Sequence, residues 1–238
     1  MRTRLLPQSI RSFLSPWSHY LKNWRKPRVF VLSFQRTGTK SQGQFLRELG
    51  FPVASWRTCR RNAWEITALA GNYEKILKSR DFLLNKGFED DPWWHPDLYK
   101  YLYWRLPKAR FIFLSRDPDD WFDSMLRHSP GRVLGFTHLH CTIYRRLEEF
   151  EKVREETGLF DASVWNGLPL EERHREGYIK VYQDYQRELR NFVEYVDPGR
   201  ERFFLGRLED PGVWNEMARF LGQGVQEKLH FHVHRSKT

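Results

Sequence analysis

Residues Arg28–Leu46 read RVFVLSFQRTGTKSQGQFL. The first seven form a short apolar run with β-branched residues, the pattern of a strand buried on both faces. The chain then turns through Gln35-Arg36-Thr37-Gly38-Thr39-Lys40-Ser41 into a helical pattern over Gln42–Leu49. That helix has Phe45, Leu46 and Leu49 on one face and Gly50 as its C-terminal cap. A strand that re-enters a helix through a tight loop leaves several backbone N–H groups without intrahelical partners, and the helix dipole favours negative charge beside them. Such a loop attracts a phosphate. This one also carries two cations, Arg36 and Lys40, and three hydroxyls, Thr37, Thr39 and Ser41.

The strand pattern recurs clearly at Ala109–Ser115 and more briefly at Phe51–Ser55 and Arg202–Leu205. Helical stretches fall between. Asn62–Lys78 is divided by Gly71-Asn72, Asp97–Leu106 is short, and Asp117-Pro118-Asp119-Asp120 caps a helix that Pro130-Gly131 breaks or bends. A polar helical stretch covers Ile143–Glu156. A long amphipathic one covers Tyr178–Val196, with Tyr182, Tyr185, Leu189, Phe192 and Tyr195, and Asp210-Pro211 opens a last helix that Gly222 ends. Strands alternating with helices predict an α/β fold whose central parallel sheet is covered on both faces. Ligands in such folds bind at the carboxyl ends of strands, where the strand order reverses. The loops after Phe34 and after Ser115 both leave such ends.

The 238 residues carry a formal net charge of +10 and 16 % aromatic residues, ten of them Trp, a composition that excludes a largely disordered chain. The positive balance fits a polyanionic ligand, nucleic acid or an anionic membrane surface. Cys59 and Cys141 have no metal-type spacing and form no disulfide framework, which fits a reducing compartment, so the expected location is cytoplasmic. No apolar run is long enough to span a membrane. Residues 1–27 form a basic, acid-free amphipathic arm with Ile10, Phe13, Leu14, Trp17, Leu21 and Trp24 at helical spacing. Its composition suits peripheral membrane contact or a transit peptide. Packing on the domain body explains the same pattern more simply. Residues 28–222 then form the domain and 223–238 a tail.

The loop is not a standard Walker sequence, because Ser33 stands at the first Gly position and Thr39 is inserted between Gly38 and Lys40. Its second half lies downstream, in Phe111-Ile112-Phe113-Leu114-Ser115-Arg116-Asp117-Pro118 with Trp121 and Ser124. An Arg at a strand end and a hydroxyl eight residues on can hold a phosphate between them. The pair resembles the two nucleotide-binding elements of sulfotransferases that use 3′-phosphoadenosine 5′-phosphosulfate. Arg-Thr-Gly-Thr in the loop and Glu89-Asp90-Asp91-Pro92-Trp93 before the second motif resemble a widespread, largely bacterial branch. Glu209-Asp210, Trp214 and Phe220-Leu221-Gly222 are similar to it too, whereas Leu134–Glu176 matches poorly.

The resemblance implies a three-layer P-loop NTPase-like fold and sulfuryl transfer to a hydroxyl of a small-molecule or carbohydrate acceptor, with no metal and no nucleic acid. It assigns the 5′-phosphosulfate to Arg36, Thr37, Gly38, Thr39, Lys40 and Ser41, with Arg36 acting on the leaving oxygen. It assigns the 3′-phosphate to Arg116 and Ser124. The base falls in Glu89-Asp90, with His95 a further candidate. Asp90, two residues before Pro92, matches the catalytic His of cytosolic relatives, and Glu89 matches more closely the Glu of heparan-type relatives. Trp93 and Trp94 line the acceptor pocket or pack in the core. His230, His232 and His234 read as an extended tail rather than a metal site, and Arg235-Ser236 resembles a terminal element of some relatives. A small-molecule kinase using ATP–Mg²⁺ is the first alternative, although Ser115-Arg116 stands where its metal-binding acid belongs. A non-catalytic polyanion or membrane-surface binder is the second.

Overall fold

The computed structural model describes residues 26–128, 138–157, 168 and 170–224. Residues 1–25 of the basic arm, Pro130-Gly131, the three C-terminal histidines and Arg235-Ser236 lie outside them. Five strands form one wholly parallel sheet: β1 (Val29–Val31), β2 (Val53–Ala54), β3 (Gly87–Phe88), β4 (Arg110–Ser115) and β5 (Phe203–Arg207). Their spatial order is β2-β3-β1-β4-β5. The order reverses at β1, so the loop after it opens at the switch point.

Helices α1 (Thr39–Glu48), α2 (Trp56–Arg61), α3 (Trp64–Leu69), α4 (Tyr73–Leu77) and α5 (Arg80–Leu84) precede β3. Helix α6 (Pro96–Arg105) leads into β4 and α7 (Pro118–His128) leaves it, the latter capped by Asp117, whose Oδ1 accepts from the amides of Asp119 and Asp120 at 3.0 and 3.2 Å. Then come α8 (His138–Ile143), α9 (Leu147–Thr157), the long α10 (Arg175–Val196) and α11 (Val213–Phe220). The helical stretch expected over Ile143–Glu156 is thus two helices, separated where Arg145 turns left-handed at φ 57°. Sequence pattern leaves β3, α2 and α5 unmarked, since each is too short to show a period.

Alternation along the strands builds the two cores. Val29, Val31, Ile112 and Leu114 pack under α1 and α11 with Phe45, Leu46 and Trp214. Phe30, Phe88, Phe111 and Phe203 point to the opposite face and lie in register across four adjacent strands. Their rings stack as a ladder with neighbouring centroids at 4.8, 5.6 and 4.8 Å. Each such pair adds roughly 0.5–1.5 kcal/mol to the apolar burial, so the ladder pins the register of the strands that carry the site. Helix α10 covers this face through Tyr178, Tyr182, Tyr185, Leu189 and Val193. Among the described residues no helix is long and apolar enough to cross a membrane.

Candidate active site

The loop after β1 is fastened from beneath. Ser33 Oγ accepts from the Leu114 amide at 2.8 Å and donates to Gln42 Oε1 at 3.1 Å, while Gln42 Nε2 donates to the Thr37 carbonyl at 3.1 Å. Thr37 is fully buried and spends both donors on Phe34: its amide lies 3.2 Å from that carbonyl, and its hydroxyl donates there too. Thr37 therefore closes the turn instead of offering the ligand contact expected of it. Gly38 is left-handed at φ 77°, and a Cβ there would meet Leu208 Cδ1 at 2.9 Å. No side chain caps α1, whose first intrahelical bond is Gln42 N to Gly38 O. The amides of Thr39, Lys40 and Ser41 so lie at the helix mouth without intrahelical partners.

The two motifs meet at Arg36. It stands in the left-handed region at φ 67°, and its side chain crosses to α7. There Nε lies 3.1 Å from Ser124 Oγ and Nη1 3.0 Å from His128 Nδ1. Burial, then the nearby Arg116 and Arg127, lower the Arg36 pKa, so cations crowd this point. Arg116 leaves β4 with its amide donating to Tyr182 Oη at 2.9 Å, and its Nε faces Glu209 Oε1 at 3.5 Å. Ser124 is buried and bonded to Arg36 rather than to Arg116. Trp121 stacks on Tyr182 at 4.3 Å and donates to the Gln35 carbonyl at 2.9 Å, which locks α7 to the loop.

Glu89 follows β3 directly and is buried against α1. A Cβ on Gly43 would approach its Cδ and Cγ at 2.9 Å, and Arg47 Nη2 stands 3.7 Å from its Oε1. Its Oε2 is buried without a hydrogen bond among the described residues. Burial raises its pKa to about 7, against the opposing pull of Arg47 and Lys40. Asp90 is half-buried in a left-handed turn at φ 70°. Asp91 accepts from Trp94 Nε1 at 2.8 Å, and its bond to Pro92 is cis. His95 begins α6, and the charges that act on it are Asp97 and Glu188, not the loop cations.

Trp93 and Trp94 are 0 % exposed. Trp93 packs on Phe88 at 4.9 Å and Trp94 on Phe34 at 4.6 Å, so both are core residues and line no acceptor pocket. Trp121 is buried as well, and Trp104 is exposed. Sequence reading missed Ser33, Gln42, Arg47 and His128. Only helical spacing held a signal for some of them: Lys40, Gly43 and Arg47 share one face of α1, and Ser124 and His128 one face of α7.

No curated protein sequence matches the chain. The family model of the sulfotransferase domain matches residues 28–237, and the chain belongs to that family of sulfuryl-transferring proteins.

Proposed function

We propose that the protein moves a sulfuryl group from 3′-phosphoadenosine 5′-phosphosulfate to a hydroxyl of a small-molecule or carbohydrate acceptor. The observation that carries this reading is the 3.1 Å contact between Arg36 Nε and Ser124 Oγ, which joins the two phosphate motifs into one site. The residues present fit a donor with phosphates at both ends of a ribose. The amides at the start of α1, with Arg36 and Lys40, suit the 5′ end, and Arg116 at the end of β4 suits the 3′-phosphate.

The donor supplies sulfur bonded to a good leaving oxygen. The acceptor oxygen bonds sulfur as the bridging sulfur–oxygen bond breaks, and the electron pair stays on the departing phosphate. Arg36 faces that growing charge, preorganised help worth ~10²–10³ in rate per donor. The acceptor proton goes to a carboxylate. Within Glu89-Asp90 the buried, half-ionised Glu89 is favoured, because a base titrating near neutrality accepts a proton most effectively.

Thermal shift compares 3′,5′-adenosine bisphosphate, ATP–Mg²⁺ and a DNA oligomer. The bisphosphate should stabilise the protein most, and Arg116→Ala should abolish its advantage over adenosine 5′-phosphate. Stabilisation by ATP–Mg²⁺ alone points to a kinase, and by DNA alone to a polyanion binder; either sinks the reading.

A further inference from the structure

The Arg36 guanidinium is gripped by two uncharged acceptors on one helix. Nε–H donates to Ser124 Oγ at 3.1 Å and an Nη1–H to His128 Nδ1 at 3.0 Å. Ser124 and His128 lie one turn apart on the same face of α7. A guanidinium has donors and no acceptor, so His128 must receive through a bare Nδ1 and carry its proton on Nε2. An imidazolium cannot do this. His128 is exposed by surface area, yet the surroundings favour the neutral ring: partial desolvation, then Arg36 and Lys40, lower its pKa from the ordinary 6.5.

Arg36 needs such a restraint. Its backbone is in a region that L-residues seldom occupy, and Arg116 and Arg127 repel it. A carboxylate at position 128 would hold the guanidinium more strongly, yet would cancel the charge that an anion must meet. A hydroxyl and an imidazole use two of its five N–H donors and leave the charge whole. We propose that His128 is a positioning residue that, with Ser124, presets Arg36 for an incoming anion without neutralising it. The proposal rests on the reading of Arg36 as the residue at the leaving phosphate.

The test uses His128→Ala, His128→Asn and His128→Asp in the full chain, with Arg36→Ala alone and combined with His128→Ala. Calorimetry reads the affinity for 3′,5′-adenosine bisphosphate. Steady-state rates read the donor KM and kcat. Asn places an uncharged acceptor where Nδ1 stands, and Asp places a charged one of the same shape. Ala should weaken the bisphosphate about tenfold, the scale of one hydrogen bond to a charged group, and lower kcat as well. Asn should recover most of the loss and Asp should not. His128→Ala should add nothing once Arg36 is Ala. Nitrogen-15 spectra of the ligand-free protein should show the Nε2–H tautomer at His128.

Equal binding by the Asn and Asp variants overturns the proposal, and this pair decides the matter even where Ala fails to fold. So does simple multiplication of the Arg36 and His128 effects, or a proton on Nδ1. A wild-type protein that ignores the bisphosphate refutes the functional reading instead, and the tautomer then still decides whether the grip exists.

Discussion

Replacing Glu89 by Gln should make the protein more stable and far less active. The carboxyl is buried after β3 and its pKa rises from 4.5 to about 7. In the unfolded chain the group ionises near its ordinary value, so between 4.5 and about 7 the folded state binds the extra proton. Stability is therefore fully present below the unfolded value, falls as pH rises through that window, and is flat above it. At ~1.4 kcal/mol per pH unit the loss is about 3 kcal/mol by pH 8. Gln keeps the shape and cannot ionise, so it should regain that amount. For a chain of this length the gain is roughly 6–12 °C in Tm. It should vanish near pH 4.

Melts of wild type and Glu89→Gln from pH 4 to pH 8, beside single-turnover rates, measure both consequences. Sulfuryl transfer should fall by ~10²–10⁴, the contribution of a positioned base, with bisphosphate binding retained. Asp90→Asn is the parallel variant and should keep most of the rate. Equal melting of the two proteins at pH 8 would refute the buried, half-ionised carboxyl. A collapse of activity in Asp90→Asn with Glu89→Gln still active would give the base to Asp90.

Glu209 Oε1 stands 3.5 Å from Arg116 Nε in a half-exposed pair, where in the proposed reading it competes with the 3′-phosphate. Glu209→Gln should tighten 3′,5′-adenosine bisphosphate about two- to fivefold in calorimetry, the span of such pairs, and leave adenosine 5′-phosphate unchanged; equal tightening of both would place the effect elsewhere. Gly43→Ala puts a Cβ 2.9 Å from Glu89 Cδ and must push that side chain off its seat, while the helix gains up to ~1 kcal/mol in propensity. The expected result is a large fall in kcat with little change in Tm, and an unchanged kcat would show that the seat of Glu89 does not matter.

The parts legible in the sequence are those whose signal is local. β1 and β4 announce themselves as apolar runs, α7 by its Asp-Pro cap, and α10 by its tyrosine stripe. β3 is Gly87-Phe88 alone and has no period to read, yet it sits in the sheet between β2 and β1. Without β3, the sequence gives no sign that Glu89 is a buried group at a strand's carboxyl end. Sequence leaves the role of Trp93 and Trp94 open, because only their packing on Phe88 and Phe34 decides that they are core. The two phosphate motifs were legible through type and spacing, but their union was not. Arg36 and His128 are 92 residues apart in the chain, and nothing local to either names the other.

The partners given to each ionised group in the site follow a division of labour. Arg36, which the proposed reading sets at the leaving group, is held by Ser124 and His128, two uncharged partners that leave its charge whole. Arg116, which in this reading only binds, faces a half-exposed carboxylate that a phosphate can displace at little expense, because such a pair is worth ~0–1 kcal/mol. Glu89 has the opposite arrangement: Arg47 at 3.7 Å is too weak a partner to offset its burial, so the carboxyl stays poised near neutrality. A closer Arg47 would strengthen the fold and acidify the base, and a carboxylate in place of His128 would steady Arg36 and blunt it. Both weak pairings fit the chemistry proposed for the site; Glu89→Gln tests the first, and His128→Asp tests the second.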